Sequence, residues 1–257
     1  MSTEGKVAIV TGASRGIGLA VVKRLVADGC TVIAGSRSSS AELDELVSGG
    51  RVRFAAADLS QPGAAEQLAA AAGDRIDILV NNVGATKSRV DGFLSITDDD
   101  WLTSMTLNFF AAVRMTRAAL PTMLAASSGS IVNVCSVNAF LPDPGVMDYS
   151  AAKAALLNFA KSLSKEVGPH GIRVNSVDPG PVATDLWLGA TGVAETVGAA
   201  QGVSPQQVAE SALSTTATKR FTQPDEVADV VAFLADDRLP NLTGSAITID
   251  GGLTQTL

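Results

Sequence analysis

The sequence predicts an α/β domain in which a parallel sheet carries helices on both faces. Short apolar runs of strand length recur along the chain and alternate with segments of helical periodicity. The first run, Val7–Val10, leads directly into a glycine-rich turn and then a helix. Runs that are apolar at every position are typical of strands buried on both faces of a parallel sheet. We therefore expect one doubly wound, seven-stranded domain that spans residues 1–257.

The predicted elements follow one another in regular order. Strands are expected at Val7–Val10, Thr31–Ala34, Val52–Ala56, Ile76–Val80, Ser130–Cys135, Ile172–Val177 and Ala246–Ile249. Helices are expected at Ile17–Val26, Ala41–Val47, Ala64–Ala72, Asp98–Ala126, Ser150–Val167 and Asp225–Leu234. Thr97 precedes the acidic run Asp98–Asp100, which indicates a helix N-cap with acidic residues in the first turn rather than a metal site.

The segment from Pro179 to Phe221 interrupts this alternation. It is too long for a simple connection, and insertions of this kind often form lids or binding loops. We expect a substrate lid over about residues 182–220, with a short helix at about Pro205–Leu213 inside it.

The composition argues against several classes of protein. A net charge of −7, from 26 acidic and 19 basic residues, disfavours a nucleic-acid-binding or anionic-membrane surface. No apolar run reaches transmembrane length or resembles a signal peptide. Cys30 and Cys135 lie in apolar stretches, which predicts buried reduced thiols and a cytoplasmic location. Because no Cys and His residues cluster with ligand spacing, we expect no metal site.

Three glycines follow the first strand and open the first helix, at Gly12, Gly16 and Gly18. Glycine lets the backbone approach a phosphate closely, and a helix N-terminus offers free N–H groups to it. With Ser14, the same turn also matches Gly-x-Ser-x-Gly, the nucleophile elbow of hydrolases. That alternative needs a later acid and histidine, and it expects several strands before the turn; the only histidine is His170. Binding of dinucleotide phosphates is the favoured interpretation.

The end of the second predicted strand carries no acidic residue. An acid there would hold the ribose 2′-OH of NAD, whereas an arginine suits the 2′-phosphate of NADP. The sequence has Arg37 at this point, and Arg15 in the glycine turn is also placed to reach that phosphate. We therefore expect NADPH to be preferred over NADH.

Tyr149 and Lys153 lie four residues apart in a segment of good helix formers, so they share one helix face. A neighbouring cation favours the phenolate form of a tyrosine, and a tyrosine tuned in this way can exchange protons during a reaction. An isolated pair of this kind could equally be two neighbours on a helix surface. Only the rest of the chain can favour the chemical interpretation.

Taken together, the sequence resembles the short-chain dehydrogenase/reductase family, and it is most similar to the branch that reduces ketoacyl carrier-protein substrates. The likeness covers nearly the whole chain. The motifs that carry it are Thr11–Gly18, Asp58-Leu59, Asn81-Asn82-Val83-Gly84, Asn108, Ser136, Tyr149, Lys153, Pro179-Gly180, Thr184 and Asp250-Gly251-Gly252. The resemblance implies a Rossmann fold and an NADPH-dependent oxidoreductase that reversibly reduces a ketone to a secondary alcohol by hydride transfer.

The resemblance also implies a catalytic role for four residues. Tyr149 would be the general acid, and Lys153 would favour its ionised form and bind the nicotinamide ribose. Ser136 would hydrogen-bond to the substrate carbonyl, in the manner of an oxyanion-hole donor. Asn108 would hold a water molecule in a proton relay through Lys153.

A larger set of residues is expected to bind the cofactor. Asp58 would contact the adenine, and Asn82 with Asn81 would line the adenosine side, whereas Val182 and Thr184 would contact the nicotinamide carboxamide. The full expected set is Gly12, Ser14, Arg15, Gly16, Ile17, Gly18, Arg37, Asp58, Leu59, Asn81, Asn82, Gly84, Tyr149, Lys153, Pro179, Gly180, Val182 and Thr184.

The expected substrate pocket is mainly apolar. Its candidate residues are Ser136, Asn138, Phe140, Leu141, Met147, Tyr149 and, from the lid, Leu186 and Trp187. This lining indicates a medium-sized or cyclic ketone or secondary alcohol, and no basic cluster in the lid calls for a phosphorylated substrate.

The resemblance suggests a homotetramer or a homodimer. Its contacts would come from Asp98–Ala126, Ser150–Val167 and the tail Gly251–Leu257. A nucleotide-binding scaffold or sensor with little turnover stays open as an alternative to an active reductase, although the catalytic set is complete.

Overall fold

A computed structural model describes residues 3–255 of the chain. The strands are β1 (Val7–Thr11), β2 (Thr31–Ser36), β3 (Val52–Ala56), β4 (Ile78–Asn81), β5 (Gly129–Val134), β6 (Ile172–Pro179) and β7 (Ala246–Ile249). They form a seven-stranded sheet in the order β3-β2-β1-β4-β5-β6-β7, and every neighbouring pair is parallel. The predicted sheet is thereby confirmed, although β4 begins at Ile78 and not at Ile76.

The strand order reverses beside β1. The chain runs outward from β1 through β2 to β3, and then returns to place β4 against the other side of β1. In open α/β sheets the carboxyl ends of the strands at such a reversal border the ligand crevice. The glycine turn after β1 lies at this point, as expected from the sequence.

Helices cover both faces of the sheet. They are α1 (Gly16–Ala27), α2 (Ala41–Ser48), α3 (Ala64–Ala70), α4 (Asp98–Met105), α5 (Ala111–Ala126), α6 (Met147–Val167), α7 (Asp185–Leu188), α8 (Val193–Gln201), α9 (Pro205–Ser214) and α10 (Pro224–Ala235). One apolar core joins α1, α2 and α10 to the sheet, and a second joins α3, α5 and α6 to the opposite face. Cys30 and Cys135 are buried and free, as predicted.

The long predicted helix Asp98–Ala126 is interrupted. Between α4 and α5 the backbone forms a π-helical segment, Thr106–Phe110, which contains Asn108. Such segments are rare and are frequent at functional sites, because the widened turn redirects a side chain. The N-cap of α4 is as predicted, because Thr97 and Asp100 form a reciprocal capping box.

Two other helix predictions were incomplete. The predicted helix Ser150–Val167 begins three residues earlier, at Met147, so Tyr149 lies inside its first turn. The insertion after β6 contains α7 and α8 as well as the predicted α9. An isolated bridge between Val182 and Thr222 closes the base of this insertion. Within residues 3–255, no helix combines the length and apolar character needed to cross a lipid bilayer.

Candidate active site

The glycine turn is built for close backbone approach. Gly12 and Gly16 have φ angles of +65° and +53°, a left-handed conformation that side chains disfavour. A Cβ on Gly18 would lie 2.1 Å from the Gly12 carbonyl oxygen, so only glycine fits there. Arg15 caps α1 without a side-chain hydrogen bond, and Ser14 and Ile17 complete the turn. The first N–H groups of α1 can therefore serve an anion.

Asn82 fastens this turn to the end of β4. Its side-chain nitrogen donates to the carbonyl oxygens of Thr11 at 3.0 Å and Gly12 at 3.2 Å. Its neighbour Asn81 points the other way, into the core, where it donates to Thr116 and Asn133. The side chain of Asn81 therefore supports the sheet behind the site and does not line the adenosine side, because successive side chains of a strand face opposite sides.

Residues expected on the adenosine side lie at the ends of β2 and β3. Arg37 and Arg15 are exposed, and the Arg15 guanidinium lies 3.7 Å from the carboxylate of Asp185 in α7. Hydrogen bonds from Ser60 lower the pKa of Asp58, and the charge of Arg37 adds to this effect. The residues expected on the adenosine side thus combine an acid of lowered pKa with two exposed guanidinium groups.

Lys153 is buried beneath the carboxyl edge of the sheet. Only 3 % of the residue is exposed, and its Nζ donates to the Val134 carbonyl oxygen at 2.9 Å. The same Nζ lies 5.6 Å from the ring centroid of Tyr149, one helical turn earlier in α6. Helix spacing and one hydrogen bond to β5 therefore hold the cation beside the phenol ring.

Gly84 lies against the side chains of both Asn108 and Lys153. A Cβ on Gly84 would come within 2.8 Å of Asn108 Oδ1 and 3.3 Å of Lys153 Nζ. The Asn108 amide is buried and pairs with the backbone of Ala85, accepting at 3.0 Å and donating at 2.8 Å. It also donates to the Ser104 carbonyl oxygen. The side chain thus anchors the loop after β4, and a water-holding role for Asn108 stays a prediction.

Ser136 lies just beyond β5, two residues after the carbonyl that Lys153 binds. Its hydroxyl accepts a hydrogen bond from the Asn138 amide N–H and donates to Asn138 Oδ1, both at 3.2 Å. Ser136 caps the short 3₁₀ turn Val137–Ala139, which fixes its backbone. Only 7 % of Ser136 is exposed, and its two hydrogen bonds to Asn138 orient the hydroxyl.

The comparisons with known proteins agree with this geometry. The family model for short chain dehydrogenases matches residues 6–191. The chain belongs to the short-chain dehydrogenase/reductase family. Membership makes it an NAD(P)-dependent oxidoreductase.

Similar proteins span its whole length. The 3-oxoacyl-[acyl-carrier-protein] reductase FabG of Thermotoga maritima is 35% identical over 98% of this chain and 99% of its own. The corresponding reductase of Synechocystis is also 35% identical, over 96% of each chain. An uncharacterised oxidoreductase of Bacillus subtilis, YvrD, is 32% identical over 98% of this chain and 97% of its own. The crystal structure of gox2181 superposes with a TM-score of 0.86 at 30% identity, covering 97% of this chain and 96% of that one.

Several apolar residues of the expected substrate pocket are exposed. Phe140 and Leu141 are each 43% exposed, and Leu186 in α7 is 39% exposed. The Trp187 ring instead packs edge-on against Phe221, with centroids 5.6 Å apart. Trp187 therefore packs α7 against the base of the insertion, whereas the other three side chains are apolar and exposed.

The start of the insertion lies against both the turn and the sheet. A Cβ on Gly16 would lie 3.3 Å from the Thr184 methyl group, so the insertion begins over the glycine turn. Pro179 ends β6, and a Cβ on Gly180 would lie 2.8 Å from the Asp250 Cβ. Gly180 is thus needed where the chain leaves the sheet beside the end of β7.

An ion pair next to Tyr149 was missed from the sequence. Arg89, in the loop after β4, bonds to both carboxylate oxygens of Asp148 at 3.2 and 2.5 Å. Arg89 also binds Asp100 at 2.9 Å, and its backbone N–H donates to the Gly145 carbonyl oxygen. The hydrogen bond with Asp148 raises the pKa of Arg89. The hydrogen bond from Arg89 to Asp100 lowers the pKa of Asp100. No local sequence pattern predicts an ion pair between residues 59 positions apart.

Proposed function

We propose that the protein is an NADPH-dependent reductase that converts a ketone into a secondary alcohol. The observation that carries this proposal is the buried Lys153 ammonium, held 5.6 Å from the ring of Tyr149. That pair lies at the same sheet edge as the Ser136 hydroxyl and the glycine turn. A cation, a phenol and a hydroxyl donor gathered beside a phosphate cradle suit carbonyl reduction.

The turn after β1 fits a dinucleotide. Any side chain at Gly18 would collide with the Gly12 carbonyl, so the backbone is bare where a pyrophosphate would approach the start of α1. Gly12, Gly16 and Gly18 would hold the pyrophosphate, and Lys153 would bind the nicotinamide ribose. When bound, the reduced cofactor supplies the hydride that the carbonyl carbon accepts.

Side chains of the protein stabilise the developing charge and donate the proton during that transfer. The Ser136 hydroxyl donates a hydrogen bond to the carbonyl oxygen, which stabilises negative charge as it develops there. Tyr149 donates its proton to the same oxygen, and the nearby Lys153 ammonium stabilises the phenolate that remains. Asn108 and Gly84 keep the loop after β4 clear of the Lys153 ammonium.

The lid function of residues 182–220 belongs to the same proposal. Thr184 lies against the glycine turn, and Leu186 presents exposed apolar surface near the site. Closure of this segment over a substrate would exclude water from the reacting carbonyl.

The preference for NADPH rests on Arg15 and Arg37. Each charge-assisted contact to a 2′-phosphate contributes about 1.5–3 kcal/mol. An Arg37→Ser variant should therefore lose about 10–100-fold in kcat/KM with NADPH and little with NADH. Arg53→Ser is the matched control, because Arg53 is an exposed arginine on the neighbouring strand β3. This variant should retain the wild-type kcat/KM with NADPH. A wild-type preference for NADH would contradict the assignment.

The substrate is a predominantly apolar ketone. The exposed Phe140, Leu141 and Leu186 support this, and the similar proteins from Thermotoga maritima and Synechocystis are named as reductases of 3-oxoacyl groups. NADPH consumption should be measured with 3-oxoacyl thioesters of increasing chain length and with cyclic ketones. Turnover of none of them, despite tight NADPH binding, would favour the scaffold or sensor alternative.

The same proposal includes a homotetramer or homodimer. Leu102 in α4 is 64% exposed and Phe110 beside it is 42% exposed, which leaves apolar surface on the expected contact helices. Of the expected tail Gly251–Leu257, residues 256 and 257 lie outside the described part of the chain. Light scattering after size-exclusion chromatography would give the mass of the assembly.

A further inference from the structure

The face of the sheet beneath Lys153 changes from apolar to polar at its carboxyl end. Asn81, Asn133 and Ser176 lie in register across β4, β5 and β6, and Asp178 follows two residues further along β6. These four residues, the rear polar layer, are all at most 3 % exposed. They extend the row that begins with Leu79, Ile131 and Val174 on the same face.

Asp178 is the unusual member of the rear polar layer. The residue is 0 % exposed, and neither of its carboxylate oxygens has a hydrogen-bond partner among residues 3–255. Buried carboxylates are normally paired or hydrogen-bonded, because an isolated buried charge is strongly unfavourable. An unpartnered acid at such a position calls for a functional explanation.

The register of the strands brings Asp178 close to Lys153. Lys153 donates to the Val134 carbonyl, and Val134 is paired with Val177, the residue before Asp178. The charge of Lys153 acts on the Asp178 carboxyl, although burial dominates and raises the pKa of Asp178 to about 7. The Lys153 ammonium thus lies 5.6 Å from the Tyr149 ring and also interacts electrostatically with a buried carboxyl.

We propose that Asp178 is a positioning residue that limits how strongly the Lys153 charge favours the Tyr149 phenolate. The inference deepens the proposed reductase function and rests on it for its biological meaning. In its ionised form the Asp178 carboxylate offsets part of the ammonium charge and disfavours the negative charge of a Tyr149 phenolate. In its protonated form it leaves the full ammonium charge acting on Tyr149.

The other groups around Asp178 do not compete for this role. Besides Tyr149, its charge interacts with Lys153 from α6 and Cys135 after β5. Burial raises the pKa of Cys135 to about 12, so this thiol is neutral in the working range. The β7 neighbour of Asp178 in register is Thr248, which carries no charge.

The experiment is a spectroscopic titration of Tyr149 in the cofactor-free protein. Tyr149 is the only tyrosine of the chain, so the ultraviolet absorbance of phenolate reports this residue alone. In Asp178→Asn, which keeps the shape and removes the charge, the midpoint of phenol ionisation should fall by about one pH unit. Asp178→Ser should give the same shift, and it serves as the second variant if the first does not fold.

The control is Asp236→Asn, which changes another buried aspartate, at the end of α10 and away from Lys153. It should leave the phenol midpoint at its wild-type value. A folded Asp178→Asn protein with an unchanged midpoint would overturn the inference. Because the titration needs no substrate, a midpoint shift without any ketone reduction would overturn the proposed function and leave the electrostatic inference standing. If both hold, the pH optimum of reduction should move in the same direction as the midpoint.

Discussion

The two faces of the sheet differ where they approach the active site. On the face covered by α1 and α10, apolar side chains continue to the strand ends, as at Val80, Val134 and Val177. On the face covered by α5 and α6, the apolar rows give way to the rear polar layer. At the carboxyl ends of β4, β5 and β6 the first face therefore offers apolar burial, whereas the second combines burial with charge. Substitutions on the two faces should therefore affect stability and chemistry separately.

The largest expected effect is on the chemical side of that comparison. Tyr149→Phe removes the proposed proton donor beside Lys153 and should lower kcat by about 10²–10⁴-fold. The hydroxyl makes no hydrogen bond within residues 3–255, so the unfolding midpoint should stay at the wild-type value, and any change in NADPH affinity should be far smaller than the loss in kcat. Steady-state kinetics and fluorescence titration with NADPH provide the measurements. Retained turnover in this variant would refute the assignment of Tyr149 as general acid.

A second prediction concerns the ion pair at the start of α6. Arg89→Leu leaves the Asp148 carboxylate buried without its partner and should cost about 3–5 kcal/mol of unfolding free energy. The double variant Arg89→Leu with Asp148→Leu removes both charges and should recover most of that loss. Urea unfolding of both variants tests this. Equal destabilisation of the single and double variants would show that packing, not charge pairing, dominates at this position.

Much of the architecture was predictable because it depends on local patterns. Continuous apolar runs and glycines at the first turn report burial and backbone conformation directly, and the seven parallel strands were confirmed. The Tyr149 and Lys153 pair follows from helix spacing alone. The ion pair of Arg89 and Asp148 was not predictable, since it depends on how a loop folds back over a helix 59 positions later.

Errors in the expected site arise from the same limit. Asn81 and Asn82 are adjacent, and the family resemblance implied that both line the adenosine side. Strand alternation turns Asn81 into the core, where it pairs with Asn133. In the sequence, Asp178 is simply the residue before Pro179 at the end of a predicted strand. Only the packing of α6 on β6 shows that its carboxyl is buried near Lys153.

A third prediction tests whether the two faces of the sheet differ in function only at the carboxyl ends of the strands. Ile78 and Leu79 are both fully buried in β4, one on each face. Replacing either with Ala should cost about 2–5 kcal/mol of unfolding free energy, because each leaves a cavity in a closed core. Both variants should keep the wild-type kcat per folded molecule. A selective loss of activity in Leu79→Ala would mean that the functional character of the second face begins deeper than the rear polar layer.

The smallest expected effect is the pH dependence that Asp178 gives to stability. Burial raises the pKa of Asp178 to about 7 in the folded protein, above the ordinary value of 3.8 expected in the unfolded chain. The folded state therefore binds more protons than the unfolded state between these values, and its stability falls as the pH rises through them. Between pH 5 and pH 7 this linkage amounts to about 2 kcal/mol.

Urea unfolding of the wild type and Asp178→Asn at both pH values isolates this contribution. The wild type should lose about 2 kcal/mol relative to the variant as the pH rises, because asparagine does not titrate. Parallel behaviour of the two proteins would show that the carboxyl is ionised at both pH values and finds a hydrogen-bonding partner. Such parallel behaviour would mean that the Lys153 charge outweighs burial, and the contrast between the two faces would then be one of pairing rather than of isolation.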